Sequence, residues 1–466
     1  MYQYKSVRAK NNLIVILLAY ILLYPVFEDL GIRWSVRFLL FLCLAMLDIC
    51  VGKYVRVPLR MSRIVICYII FASVILLSFF LQPSRRDVEI VSYMLVLVFC
   101  LLFVLFANSS YEQIRKYSRI LVLIAIILAC YVIFSHFFRN IYIGMILPRL
   151  PEDIRVYNNW LLNQGYGVPV GGSIVYADYV MCTAGLGIFS SLAFRQDKKA
   201  ILRKIALLAL FLIAMYLEGR RGELLCFMIA LLLVFAGSMY KASTFSKSKK
   251  LIVLILAVIA CLFILLILLR SGSNSRLAIT LQELSAQESN TDISTGRFNR
   301  WKLAIQWFKE SPVFGMGWGQ YGYRYMGKTD IVTTYINFKY AHNDYLNVLC
   351  EMGVVGAAIL YGVLLFIFVQ TIRQGMRLIK LSKSKEEAYP YVIVNSFCFG
   401  AQVFWAVLGI IDPVLYKEQF LCYYALIVIC LKMVEQYYKE TVKSCEVLGN
   451  KATATRILNY DMPIEF

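Results

Sequence analysis

Apolar blocks of roughly 16–22 residues recur along this chain, each long enough to cross the hydrocarbon core of a bilayer with modest tilt. They run from about Asn12 to Phe27, Trp34 to Val51, Ile64 to Gln82, Val88 to Ala107, Ile120 to Phe137 and Ser173 to Phe194. Six more follow, from about Ile205 to Leu217, Glu223 to Tyr240, Leu251 to Leu269, Val354 to Thr371, Val392 to Ile411 and Phe420 to Val434. The seventh is short, and its helix is expected to begin earlier, near Ala200. The pattern predicts an all-α polytopic integral membrane protein of about twelve transmembrane helices. Spans 1–9 fall in residues 1–269, a large helical loop in 270–343, spans 10–12 in 344–437 and a polar tail in 438–466.

Charge orients these spans. Lys5, Arg8 and Lys10 precede the first block, and every second connection is basic thereafter: Lys53 to Arg63, Arg115 to Arg119, Lys198 to Lys204, Lys247 to Lys250 and Arg373 to Lys385. Basic connections stay in the cytoplasm. Lys439 and Lys443 continue the alternation, so both termini are expected inside and the 270–343 loop outside. Tyr24-Pro25-Val26-Phe27 offers no small-residue cleavage pattern, so the first block is expected to remain as a span.

Composition removes whole classes of function. With 60% hydrophobic and 16% charged residues the chain is too apolar for a water-soluble domain. A net charge of +20 in a soluble protein would point to nucleic acid; here the basic residues sit where they orient helices, so no nucleic-acid partner is expected. The 13 cysteines lie nearly all inside apolar blocks and the two long polar loops have none, so neither a disulfide framework nor a zinc site is indicated.

Candidate chemistry concentrates on the predicted outer side. Glu218-Gly219-Arg220-Arg221-Gly222-Glu223 sets two arginines at the start of the eighth span, where a helix N-terminus already carries partial positive charge. Three readings stand: an anion such as phosphate binds there, Glu218 and Glu223 neutralise the pair, or the arginines snorkel to lipid head groups. Ser294 to Phe308 reads as an amphipathic helix with Phe298, Trp301, Ile305 and Phe308 on one side and Arg297 and Arg300 close together near its first turn. Those arginines reach either one anionic group or the phosphates of a membrane on which the helix lies. Gly315, Gly317, Gly319 and Gly322, interleaved with aromatics, read as turns and not as a phosphate loop. Of the two histidines, His136 sits among phenylalanines at a span end, whereas His342 lies in Ala341-His342-Asn343-Asp344-Tyr345-Leu346 before a helix that Asn343 can cap. A neutral imidazole in that place can accept a proton.

Together these residues resemble the O-antigen ligase and polymerase superfamily of bacterial membrane glycosyltransferases. Three segments carry the resemblance: Arg220-Arg221-Gly222; Thr295-Gly296-Arg297 with Trp301, continuing through Pro312 to Gly317; and Ala341 to Leu346 followed by Glu351-Met352-Gly353-Val354-Val355-Gly356. By position it implies that Arg221, Arg297 and His342 are catalytic, with Arg220, Arg300, Asn343, Asp344 and Tyr345 binding diphosphate or acceptor. It further implies an inverting transfer, without metal or other cofactor, of a glycan from an undecaprenyl-diphosphate carrier to a hydroxyl on a glycan, lipid A-core or other acceptor. The site would then lie on the extracytoplasmic face of a bacterial inner membrane and work among membrane lipids. A polyisoprenoid-linked glycan flippase or a secondary transporter is the rival, since about twelve spans suit both. Most acidic residues lie at span ends or in loops, with Asp48, Asp178 and Glu351 the nearest exceptions. Tyr157, Trp160 and Tyr166 in the loop from Arg139 to Gly172 either contact acceptor sugar or anchor the interface.

Overall fold

A computed structural model of the chain describes residues 12–23, 26–27, 30, 34–51, 62–81, 88–107, 110–170, 174–192, 198–241, 297–326, 340–382 and 384–447. The longer helices are α1 (Leu13–Leu22), α2 (Trp34–Val51), α3 (Arg63–Leu81), α4 (Val88–Phe106), α5 (Tyr111–Phe137), α6 (Glu152–Asn163), α7 (Ile174–Leu192) and α8 (Lys198–Leu217). They continue as α9 (Arg221–Lys241), α10 (Arg297–Glu310), α11 (Gln320–Met326), α12 (Asp344–Ser382), α13 (Tyr389–Leu408) and α14 (Glu418–Val447). Among the described residues there is no strand. Within α3, α5, α8, α12, α13 and α14 lie stretches long and apolar enough to cross a membrane, and α1 and α4 contribute shorter apolar stretches. The chain is a multi-pass helical membrane protein. The expected ninth span, Leu251 to Leu269, lies outside the described residues, as do 270–296 and 327–339 of the expected loop.

Several helices outrun their apolar blocks. α5 starts at Tyr111, well before Ile120, because Ser110 and Gln113 close a capping box: the Gln113 amide donates to Ser110 Oγ at 3.4 Å and the Ser110 amide to Gln113 Oε1 at 3.0 Å. Arg115, Lys116 and Arg119 therefore ride on the first turns of the helix, where long basic side chains reach water past an apolar stem. α8 likewise begins at Lys198 and α12 runs on to Ser382, each carrying basic residues beyond its apolar block.

Burial ranks the helices. α14 is the centre, with 78% of its apolar window enclosed against 22% for α8, and it packs on α4 and α13. Its half-buried Lys432 is used by the fold: Nζ donates to the carbonyls of Val104, Leu105 and Ala107 at 3.2–3.3 Å, satisfying the open end of α4. α13 bridges the two halves by packing on α7, α9, α12 and α14.

α12 is broken at Gly353, whose φ of 64° and ψ of −173° leave the helical region. The break is filled by the segment after α10. Val354 and Val355 amides donate to the carbonyls of Pro312 and Val313 at 2.8 and 3.2 Å, and Met316 and Gly317 amides donate back to those of Cys350 and Glu351 at 3.1 and 2.8 Å. A Cβ on Gly353 would stand 2.3 Å from the Val313 oxygen, and one on Gly315 would stand 2.3 Å from the Glu351 carbonyl carbon, so only glycine permits this approach. The Glu351 carboxylate accepts from the Gly319 and Tyr321 amides, both at 2.8 Å, and so caps α11. Trp318 stacks on Tyr416 at 4.3 Å and on Tyr93 at 5.8 Å. The glycine-rich stretch is thus a set of turns with aromatic anchors, as its sequence suggests.

Candidate active site

Three turns meet at one end of the bundle: residues 218–220 between α8 and α9, residues 340–343 before α12, and residues 409–417 between α13 and α14. The second and third are stitched together by the neighbours of His342. Asn343 Oδ1 accepts the Leu346 amide at 2.9 Å, the expected cap, while its Nδ2 donates to the Ile410 carbonyl at 3.0 Å. The Asp344 amide donates to the Gly409 carbonyl at 2.7 Å, and its carboxylate accepts the Leu415 amide at 3.1 Å. Tyr345 Oη donates to the Ala406 carbonyl at 2.8 Å. Asn343, Asp344 and Tyr345, to which the resemblance gives a binding role, hold the His342 turn against the end of α13.

That stitching fixes His342 in an uncommon backbone state. It has a φ of 52°, and among the described residues no other non-glycine residue has a positive φ. Such a conformation persists only where the surroundings over-determine it. Its ring remains 21% exposed, and Nδ1 lies 3.8 Å from Asp412 Oδ1, an ion-pair separation once the imidazole takes a proton. Asp412 is buried and also pairs with the Lys417 ammonium; Tyr179 Oη donates to Asp412 Oδ2 at 3.4 Å, and Lys417 Nζ donates to Tyr179 Oη at 3.2 Å. Burial alone would raise the Asp412 carboxyl, but Lys417, His342 and Arg220 hold it well below the usual carboxylate range. It is therefore a fixed negative charge behind the imidazole.

The first turn supplies cations and a surplus of acid. Arg220 NH1 meets Glu223 Oε1 at 3.0 Å, its Nε lies 3.9 Å from Asp178 Oδ2, and its charge is felt at Asp412. Asp178, Glu218 and Glu223 are all buried. The Asp178 and Glu218 carboxyls face one another at hydrogen-bonding range and accept from no other described donor, and burial pushes the Glu218 carboxyl up to about 7. For Arg220 the neutralising reading of this turn is thus the observed one, with Asp178 as a partner that local sequence could not show. Arg221, the first residue of α9, is half-buried and forms no ion pair with a described residue.

The second pair of arginines sits on α10, which packs on α12. Its buried face is Arg300, Ala304 and Trp307, while Phe298 and Ile305 of the predicted apolar stripe are exposed. The helix is turned by packing and not by its most apolar stripe: Ala304 and Trp307 close a small core with Tyr321, Ala341 and Cys350. Tyr321 Oη donates to the Arg300 carbonyl at 2.9 Å. Arg297 is half-buried and, like Arg221, has no ion pair with a described residue.

The structure thus gathers His342 and Arg220 around Asp412, leaves Arg221 at the same turn, and sets Arg297 and Arg300 on the neighbouring helix. Asp412, Lys417, Tyr179 and Asp178 were missed by sequence reasoning. Only Asp412 carried a local signal: a carboxylate before Pro413 at a span end on the side of His342, with a lysine shortly after it. Residues 206–361 match the family model of O-antigen ligase, a stretch that includes both arginine pairs and His342 and stops before Asp412. No curated protein sequence matches the chain.

Proposed function

From a chain whose residues 206–361 belong with the O-antigen ligase and polymerase superfamily, we propose a glycosyltransferase that moves a glycan from undecaprenyl diphosphate to an acceptor hydroxyl on the extracytoplasmic side of the inner membrane. The observation that carries this reading is His342 held in a strained turn with Asp412 behind its Nδ1. With Nδ1 protonated toward Asp412, Nε2 is the nitrogen that accepts a proton. The acceptor oxygen attacks the anomeric carbon from the face opposite the diphosphate as its proton passes to Nε2. The new glycosidic bond forms as the bond to the diphosphate oxygen breaks, so the anomeric centre inverts. Asp412 stabilises the resulting imidazolium without taking the proton.

The departing lipid diphosphate carries the electron pair and needs charge more than protonation. Arg221 and Arg297, uncommitted to carboxylates among the described residues, are the cations free to clamp it, and arginine matches phosphate oxygens two at a time. Arg220 shapes the field from its carboxylate cage, and Arg300 supports α10. The resemblance assigns this leaving-group role to arginine charge, without a metal.

The test is a glycan profile of cells lacking this chain, comparing surface polysaccharide with the undecaprenyl-linked pool, rescued by wild type, His342→Ala or Asp412→Asn. Loss of the base is expected to cut transfer by about 10²–10⁴-fold, with both variants still inserted in the membrane. Single repeat units at the surface without long chains identify a polymerase; long chains accumulating on the carrier identify a ligase. Full rescue by His342→Ala overturns the reading.

A further inference from the structure

α6 lies outside the family match and outside the machinery described so far, yet the fold brings it to the site. The Gly167 amide, just beyond the helix, donates to the Leu217 carbonyl at 2.8 Å, immediately before the Glu218–Arg220 turn. Gly219 of that turn has a φ of 77°, and a Cβ there would lie 2.3 Å from the Tyr166 ring. The end of α6 is therefore seated directly on the arginine turn. Asn158, buried and donating to Tyr142 Oη at 3.1 Å, fixes the rotation of the helix together with the buried Leu161 and Leu162.

The opposite face is turned outward. Tyr157 and Trp160 are 39% and 46% exposed, and their rings stack with centroids 6.0 Å apart and planes 22° from parallel. Asp153 and Gln164 continue the same row at helical spacing and are also exposed. Two near-parallel aromatic rings bordered by a carboxylate and a carboxamide match the chemistry of a pyranose ring: apolar C–H faces lie on the rings while hydroxyls bond to the polar ends. Glu152, Asp153 and Arg155 of the first turn are all exposed, so the N-terminal end of this row is a polar surface carrying charges of both signs. The Tyr157 hydroxyl also lies within electrostatic reach of Arg220 and Glu218.

We propose that the Asp153, Tyr157, Trp160 and Gln164 face of α6 is a sugar-binding subsite that holds a ring of the glycan next to the reacting one. The assignment rests on the glycosyl-transfer reading for its ligand class, and its test keeps the two apart. Full-length protein in lipid nanodiscs is titrated with oligosaccharide released by mild acid from the lipid-linked pool of the cells that carry it. Transfer kinetics are measured in parallel for wild type, Tyr157→Ala, Trp160→Ala and Trp160→Phe.

Each alanine variant is expected to weaken binding and raise KM about tenfold while kcat stays within about twofold, and Trp160→Phe to restore most of the loss. Unchanged binding and KM in the alanine variants, or a fall in kcat alone, overturns the subsite. Brominated lipids that quench the fluorescence lost in Trp160→Phe, with no response to the released oligosaccharide, would make α6 a membrane anchor and also overturn it. Ring-dependent binding without any transfer supports the subsite and defeats the catalytic reading instead.

Discussion

Two pairs of arginines stand near the starts of two helices, and their surroundings could hardly differ more. Arg220 is caged by Glu223 and Asp178 with Glu218 and Asp412 close by, whereas Arg300 shares a buried face with Ala304 and Trp307. In each pair the other member, Arg221 or Arg297, is half-buried and has no carboxylate partner among the described residues. One cation of each pair is thus consumed by the protein and one is left over. A row of like charges in sequence is therefore no measure of the charge a ligand meets; at Arg220 the neighbouring carboxylates set it, and at Arg300 its place on the buried face of α10 does.

The sharpest way to break this comparison is to exchange the roles. Arg221→Ala is expected to slow transfer about 100-fold with an unchanged thermal midpoint, since it removes leaving-group charge and no internal pair. Arg220→Ala is expected to destabilise the protein by about 2 kcal/mol, because it leaves buried carboxylates uncompensated, and a lowered midpoint in detergent reads this directly. Equal midpoints for the two variants would dissolve the distinction.

A smaller effect tests the side of α10. Gly353→Ala forces a Cβ toward the Val313 oxygen at a φ of 64°, and should cost on the order of 1–3 kcal/mol and loosen α10 with its arginine. Limited proteolysis near Pro312 measures that loosening, and undiminished resistance would count against the clamp. The smallest effect belongs to the acid-rich turn. Glu218 titrates near 7 in the folded protein against an ordinary 4.5, so the native state binds the extra proton. Its contribution is complete below about 4.5 and is lost as pH rises through about 7. The thermal midpoint should accordingly fall between pH 5 and pH 8, and Glu218→Gln should flatten that fall. A wild-type midpoint that rises over the same interval would reverse the sign and refute it.

Helix positions were legible because apolar length is a local property: helices lie at each expected span within the described residues, and α2 begins and ends where its block does. Helix ends were less legible, since Ser110 and Gln113 extend α5 by hydrogen bonds that hydropathy does not see. His342 and the arginines could be found from short motifs. Their partners could not, because Asp178, Tyr179, Asp412 and Lys417 reach the site only through the packing of α7, α9, α13 and α14. Asn343 shows the converse: its capping role was local and was readable, whereas its bond to the Ile410 carbonyl was not.

The break at Gly353 also has a bearing on how the molecule breathes. The amides of Met316, Gly317, Val354 and Val355 are bonded crosswise between a connecting segment and a membrane helix. None of the four can be exposed to solvent by fraying the segment alone without also unsealing the helix. Their exchange with deuterium should therefore occur as one cooperative event, slower than that of ordinary surface turns, and α10 should share that event.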